Sequence, residues 1–243
     1  MSKVPKVSCL CITYNRVHFL KRSLQCFLDQ TYANKELVIV TRSDDYDTND
    51  YLSGLKNESI KVHPISDYKS LSLGEIRNIA IEVASGDYLC NWDDDDWYAT
   101  NRIESQIFGI LNFEQDASVL TNLLLFDQAS GTAYYSMYRL WETSLMCKRN
   151  LIDQKTKYGH KNVSEDAYLV TKLLGNKQSL YPCSVPAQLI YVIHNSNTAK
   201  RPHIQKMFKY SQRLTPYQSA IVSNVLSGKY TNEEASQTMM RPD

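Results

Sequence analysis

Residues 86–98 read GDYLCNWDDDDWY, an apolar run that ends in four consecutive aspartates and is closed by Trp97 and Tyr98. Side by side, the carboxylates repel by roughly 3 kcal/mol per neighbouring pair at ~5 Å and an effective dielectric near 20. A cation removes that cost, and so does full exposure to water. Strand side chains alternate between faces, so a strand continued through the run points Asp93 and Asp95 one way and Asp94 and Asp96 the other. Two carboxylates on one side of a strand tip can share Mg²⁺ or Mn²⁺, because such ions take one or two carboxylates and fill the remaining positions with phosphate oxygens and water. An isolated acidic run is ordinarily a solvated loop. This one sits directly on a buried strand between aromatic residues, which favours the cation.

Working outward, SLGEIRNIAIEVASG (72–86) carries helix signals at both ends, with Ser72 and Glu75 as a capping box and Gly86 after the last apolar residue. Further upstream, VSCLCIT (7–13), ELVIV (36–40) and IKVHPI (60–65) are short apolar runs expected of strands covered on both faces. Between the first two lies VHFLKRSLQCFL, with Val17, Leu20, Leu24, Phe27 and Leu28 at helical spacing and Lys21 and Arg22 on the other side. The polar loop TRSDDYDTND leads into a short helix around 48–57. This β-α-β-α-β-α-β order predicts a parallel sheet with helices on both faces, whose ligands bind beyond the carboxyl ends of the strands. Asn15, the 41–50 loop and the aspartate run all fall there.

Downstream, Thr100 is a candidate cap for a helix carrying Ile103, Ile107, Ile110 and Leu111. ASVLTNLLLFD, TAYYSMY, WETSLMCKR, SLYPCS and QLIYVIH read as strands. NVSEDAYLVTKLLG (162–175) reads as a helix capped by Asn162 or Ser164 and stopped at Gly175. After Thr198 the chain turns helical and more polar; Thr215-Pro216 opens a helix that Gly228 closes, and Thr231 with Glu234 boxes another. The tail's Lys200, Arg201, Lys206, Lys209 and Arg213 fit a solvated helix face better than a lipid-binding patch.

With 243 residues the chain can hide about 70% of its unfolded surface in one large domain. A net charge of +1 points to neither nucleic acid nor an anionic membrane. The six cysteines form no Cys-x-x-Cys pair and fit buried free thiols in a reducing compartment. The N-terminal apolar stretch is too short for a signal peptide and no window reaches 18 apolar residues, so a cytoplasmic protein is expected, with peripheral contact at the inner face of a membrane left open.

VSCLCITYNRVHFLKRSLQCFLDQTY, LGEIRNIAIEVASGDYLCNWDDDDWYATNRI and SEDAYL, in this order, resemble glycosyltransferase family 2 from about Val7 to Thr198. The resemblance implies a GT-A fold: a Rossmann-like, mainly parallel α/β sheet flanked by helices. It divides the chain into a domain over 1–199, with a nucleotide-sugar half (1–100) and an acceptor half (101–199), and a helical C-terminal extension over 200–243. It implies transfer of a sugar from a nucleotide-diphosphate sugar, with UDP favoured, to a glycan or lipid-linked acceptor, assisted by Mn²⁺ or Mg²⁺ and inverting the anomeric configuration.

Carried over residue by residue, Thr13 and Tyr14 contact the donor's base or ribose, with Asn15 and Arg16 at the mouth of the same cleft. Arg77 and Asn78 line the nucleotide side. Asp93-Asp94-Asp95 is the Asp-x-Asp motif, with Asp95 on the metal and Asp93 on the ribose or a metal-bound water. Asp96 with Arg102 braces the loop. Glu165-Asp166 is the acidic pair that supplies the catalytic base, and His194 approaches the metal and diphosphate. One position departs from the family: where an Asp-Asp pair usually follows the second strand, this chain has Thr41-Arg42-Ser43, with Asp44 and Asp45 slightly later. Either Asp44 or Asp45 takes over base recognition, or base recognition differs. Two other readings stand beside the transferase. A nucleotidyltransferase would need the Gly-rich phosphate loop that ITYNRVHFL lacks, and a catalytically silent sugar- or nucleotide-binding module would not require an intact acidic pair.

Overall fold

The computed structural model describes residues 4–67, 70–153, 155–162, 165–185, 187–197 and 201–239. The first half alternates as predicted: β1 (Val7–Ile12), α1 (Val17–Leu28), β2 (Lys35–Arg42), α2 (Tyr46–Ser53), β3 (Ile60–Ile65), α3 (Leu73–Val83) and β4 (Tyr88–Asn91). The second half adds β5 (Trp97–Tyr98), α4 (Arg102–Asn112), β6 (Ala117–Leu120), β7 (Leu124–Asp127), β8 (Thr132–Tyr135), β9 (Trp141–Lys148), α5 (Glu165–Gly175), β10 (Leu180–Cys183) and β11 (Leu189–Ile193). It closes with α6 (Arg201–Lys209), β12 (Gln212–Arg213), α7 (Pro216–Leu226) and α8 (Asn232–Met239).

Among the described residues, seven strands form one sheet in the order β10-β6-β9-β4-β1-β2-β3. β1 to β4 are mutually parallel along it, and β9 runs antiparallel between β4 and β6. The chain order reverses between β1 and β4, so their carboxyl ends open the crevice where ligands of such sheets bind. A second sheet, β12-β8-β7-β11-β5, stands beyond that end. ASVLTNLLLFD therefore splits, giving β6 to the first sheet and β7 to the second.

Residue alternation in β1 builds both cores. Val7, Cys9 and Cys11 join α1's Leu20, Leu24 and Phe27 and α4's Ile103 and Ile107 on one face. Leu10 joins α3's Ile76 and Ala80 and α5's Leu169 and Leu173 on the other. Each large apolar side chain so buried is worth about 1.5–3 kcal/mol. All six cysteines are free and buried, as expected. Among the described residues, no helix is long and apolar enough to cross a membrane.

The capping signals divide into those that formed and those that did not. Ser72 and Glu75 make the predicted box on α3, Thr215 opens α7 with Gln218, and Thr231 pairs with Glu234 ahead of α8. Gly228 ends α7 at φ +73. Gly86 does not stop α3, whose cap is the extended Ala84. Its missing side chain serves packing instead, since a Cβ there would lie 2.6 Å from Ser8 Oγ and 2.8 Å from the Lys6 carbonyl. Gly175 is the last residue of α5, and the left-handed residue beyond it is Lys177. Thr100 does not cap α4; its hydroxyl contacts Ser236 of α8. Asn162 accepts the Leu73 N–H rather than capping α5, and Ser164 lies outside the described residues.

Candidate active site

The aspartate run is not a strand tip. β4 ends at Asn91 and the chain bends through 93–96 before β5, so the predicted face alternation does not hold. What fixes the bend is its backbone. Ser23 donates to the Asp93 carbonyl (2.8 Å), Arg22 to the Asp95 carbonyl, and Tyr98 Oη receives the Asp93 N–H (2.7 Å). Arg22, expected on the solvent side of α1, is thus part of the site. Asp96 is buried and accepts the Val192 N–H of β11 (2.9 Å). Arg102 braces the same region separately, donating to the Asn91 carbonyl and Gln106, so the expected pairing of Asp96 with Arg102 is replaced by two backbone anchors.

The first three carboxylates meet arginines. Arg16 Nη1 lies 3.3 Å from Asp94 Oδ1 and 3.1 Å from Asp95 Oδ2. Arg77, 5% exposed, reaches Asp93 (3.1 Å), Glu165 (3.2 Å) and Asp166 (3.5 Å). Thr143 Oγ1 donates to the other Asp93 oxygen at 2.7 Å. Burial pushes Asp94 up to about 7, with the Asp95 charge adding and Arg16 opposing. Burial raises Asp96 well above the carboxylate range too. Repulsion in the run is relieved by guanidinium groups and, at Asp94 and Asp96, by burial that favours the protonated form, while Asp93 stays partly exposed to the cleft.

A left-handed turn delivers Arg16. Asn15 has φ 52, a conformation that asparagine tolerates, and its N–H donates to Asp45 Oδ2 (2.6 Å). Asp45 also caps α2 through the Thr48 N–H, so this buried carboxylate is fully committed to the turn. Asp44 pairs with Arg42, whose guanidinium lies 3.9 Å over the Tyr14 ring. Asn78 clamps the Tyr158 backbone through both its amide atoms (3.0 Å each). None of Asn15, Asp44, Asp45 or Asn78 lines the cleft described below.

Across the crevice, Asp166 accepts from Asn91 Nδ2 (2.9 Å), and Tyr158 Oη donates to Asn91 Oδ1 (2.8 Å). Burial pushes Asp166 up to about 7 against the pull of Arg77, with Glu165 and Asp93 adding to the rise. His194, directly after β11, stacks on Phe19 (4.4 Å) and sits 3.0 Å from Asp95 Oδ2. The Ser196 N–H donates to its Nδ1 (3.2 Å), which places the ring proton on Nε2, facing Asp95. In this tautomer His194 orients a carboxylate; to bind a metal it would use the other, with Nδ1–H turned to Ser196 Oγ at 2.9 Å.

These groups line a cleft of about 620 Å³ bounded by Thr13, Tyr14, Arg16, Arg77, Asp93 to Asp95, Glu165 and Asp166 on its polar floor. Arg139, Trp141, Glu142, Thr143 and Tyr191 line it from the second half, with His203 and Met207 of α6. Trp92 and Trp97 are core residues, whereas Trp141 borders the cleft. The lining sets six carboxylates against three arginines, a deficit that favours a cationic ligand. No three His, Cys, Asp or Glu residues among those described converge as a complete metal cage. The set would suit a hard cation of the other kind, which Asp95 and its neighbours would hold and phosphate oxygens would complete, with the buried Asp94 Oδ2 as a further oxygen.

Asn91, Thr143, Tyr158 and Arg22, which hold the carboxylates and their supports, and Arg139, Glu142, Tyr191, His203 and Met207, which line the cleft, are site residues that sequence reasoning missed. Only Asn91 left a signal, as a lone amide inside an apolar strand.

The family described as "Glycosyl transferase family 2" matches residues 8–165. The Escherichia coli protein named UDP-Glc:alpha-D-GlcNAc-diphosphoundecaprenol beta-1,3-glucosyltransferase WfgD is 31% identical over 101 residues, which are 42% of this chain and 39% of that one. Glycosyltransferase GlyA of Streptococcus pneumoniae is 26% identical over 137 residues, 54% of this chain and 18% of its own. The chain therefore spans less than half the length of these curated relatives. A crystal structure of S. aureus TarS in complex with UDP-GlcNAc superposes with a TM-score of 0.64, covering 97% of this chain and 70% of that chain at 14% identity, a likeness of fold.

Proposed function

Because the chain belongs to glycosyl transferase family 2, we propose that it moves a sugar from a nucleotide-diphosphate sugar to an acceptor hydroxyl, assisted by Mn²⁺ or Mg²⁺ and with inversion. The observation that carries this reading is Asp166, lifted to about 7 by burial and set across the cleft from the aspartate run, with Arg77 bridging the two. A general base works best when its pKa lies near the operating pH.

In this reading Asp166 takes the acceptor's proton as that oxygen attacks the anomeric carbon. The bond to the diphosphate breaks on the opposite face, and the leaving diphosphate keeps the electron pair. Asp95 and Asp93 would hold the divalent ion, which would supply positive charge against that developing on the leaving diphosphate. Glu165 and Asn91 hold Arg77 and Asp166 in register for the transfer. The cleft volume lies within the range of small-molecule sites, and Thr13, Tyr14 and Arg16 border the nucleotide end. A UDP-sugar donor is supported by the relative named for UDP-Glc and by TarS, solved with UDP-GlcNAc. The same relative's name, which ends its acceptor in diphosphoundecaprenol, supports a lipid-linked acceptor. With Asp45 committed to the Asn15 turn, base recognition falls to other groups near Tyr14.

A screen of UDP-, GDP- and dTDP-sugars with Mn²⁺ or Mg²⁺, read as nucleotide release, tests the proposal. Metal-dependent release from one donor is expected. Asp95→Ala should abolish the metal stimulation. Asp166→Asn should slow transfer by about 100-fold or more while leaving UDP binding intact. Unchanged transfer by Asp166→Asn removes the base assignment.

A further inference from the structure

The ion position beside Asp95 already holds a cation that belongs to the chain. Arg16 Nη1 is shared between Asp94 Oδ1 (3.3 Å) and Asp95 Oδ2 (3.1 Å), and its Nη2 donates to the Ser196 carbonyl. The same Asp95 Oδ2 faces His194 Nε2 at 3.0 Å, so two donors already occupy that oxygen. Arg22 binds only the Asp95 backbone carbonyl, and Arg77 is engaged with Asp93, Glu165 and Asp166. Arg16 is therefore the group that balances the Asp94 and Asp95 carboxylates. It is also placed to move. It occupies the cap position of α1 after the Asn15 turn, outside the regular helix, and its side chain is 25% exposed at the wall of the cleft.

We propose that Arg16 is a place-holder for the divalent ion. In the nucleotide-free protein its guanidinium fills the ion's place. A doubly charged ion on Asp95 and a guanidinium 3.1 Å from the same oxygen repel unless an anion lies between them. A diphosphate supplies that anion and gives Arg16 a new partner, because guanidinium forks suit phosphate as well as carboxylate. Metal and nucleotide then enter together, and Arg16 swings from the aspartates to the phosphates. The inference rests on the transferase reading for the identity of its diphosphate. The competition between Arg16 and metal at Asp95 does not depend on it.

The test is Mn²⁺ affinity, measured by electron paramagnetic resonance of free Mn²⁺ with the full chain, with and without UDP. Without nucleotide, Arg16→Gln should bind Mn²⁺ roughly tenfold or more tightly than the unsubstituted protein, within the range of ordinary site-to-site coupling. Arg16→Lys, which keeps a cation, should remain weak. Adding Asp95→Asn to Arg16→Gln should erase the gain, and saturating UDP should bring the unsubstituted protein close to the Arg16→Gln value. Equal or weaker Mn²⁺ binding by Arg16→Gln without nucleotide overturns the proposal. So does tight nucleotide-free binding by the unsubstituted protein, a result that stands even if the Gln variant does not fold. A gain in Arg16→Gln that UDP leaves untouched in every variant upholds the place-holder and counts against the nucleotide reading alone.

Discussion

At the scale of single residues, the acid run poses a problem of charge that the chain answers with groups far away in sequence. Arg16 and Arg77 neutralise Asp93, Asp94 and Asp95, and the Val192 N–H serves Asp96. The sequence offered a bound ion or open water as the two ways out. It could not show the third, because nothing in a linear pattern links Arg16 to a carboxylate 78 positions on. The arginines were legible as cleft residues through the family resemblance, but not as partners of the acids. Asp166 follows the same physics. Its folded pKa of about 7 stands above the usual unfolded value of about 3.9, so its proton is held more tightly in the folded chain. Transfer should therefore rise with pH through about 7 as the base form appears. Stability should fall between about 4 and about 7, where the unfolded chain has released a proton that the folded one retains. Asp166→Asn, which mimics the neutral form, should melt higher than the unsubstituted protein above pH 7 and at the same temperature near pH 3. Melting curves across that span check the sign, and a difference independent of pH would contradict it.

At the scale of elements, helix α3 places Arg77, and its start is set by close packing. A Cβ on Gly74 would lie 2.0 Å from the Gly159 carbonyl oxygen, in the segment that carries Tyr158 and its bond to Asn91. Gly74→Ala must push that segment or the helix aside, at a cost of about 1–3 kcal/mol, and should lower both the melting temperature and transfer. Gly175→Ala is the contrasting case. A Cβ there meets nothing within 4 Å at the end of α5, so stability should hold or rise by up to about 1 kcal/mol. Equal losses from both substitutions, read by thermal unfolding, would contradict this account. The two glycines also mark what local pattern conveys. Capping boxes at Ser72, Thr215 and Thr231 were legible because side chain and backbone partner lie three residues apart. Gly86 was misread as a helix stop because the contact it makes room for is with Ser8, far away in sequence on β1. Thr100 was misread for the same reason, its partner being Ser236.

At the scale of the whole molecule, the parallel half was readable because βαβ order, strand burial and helical spacing all point to one topology. The second half was less so. Its strands were recognised, but their division between two sheets depends on pairings such as β11 with β7 and β12 with β8 that no local pattern states. The C-terminal segment joins this assembly directly: Asn232 accepts from Trp97 Nε1 (2.9 Å), and His203 and Met207 line the cleft. The cleft thus draws residues from both sheets, with the aspartate run and Asp166 facing each other across it. The proposed function requires the run to hold a divalent ion together with a nucleotide diphosphate. The most direct measurement is anomalous diffraction from crystals grown with Mn²⁺ and UDP. One manganese peak is expected, bonded to Asp95 and to the diphosphate, with the Arg16 guanidinium on phosphate oxygens. UDP bound outside the cleft, or a cleft with no manganese peak and Arg16 still on Asp94 and Asp95, would contradict the proposed function.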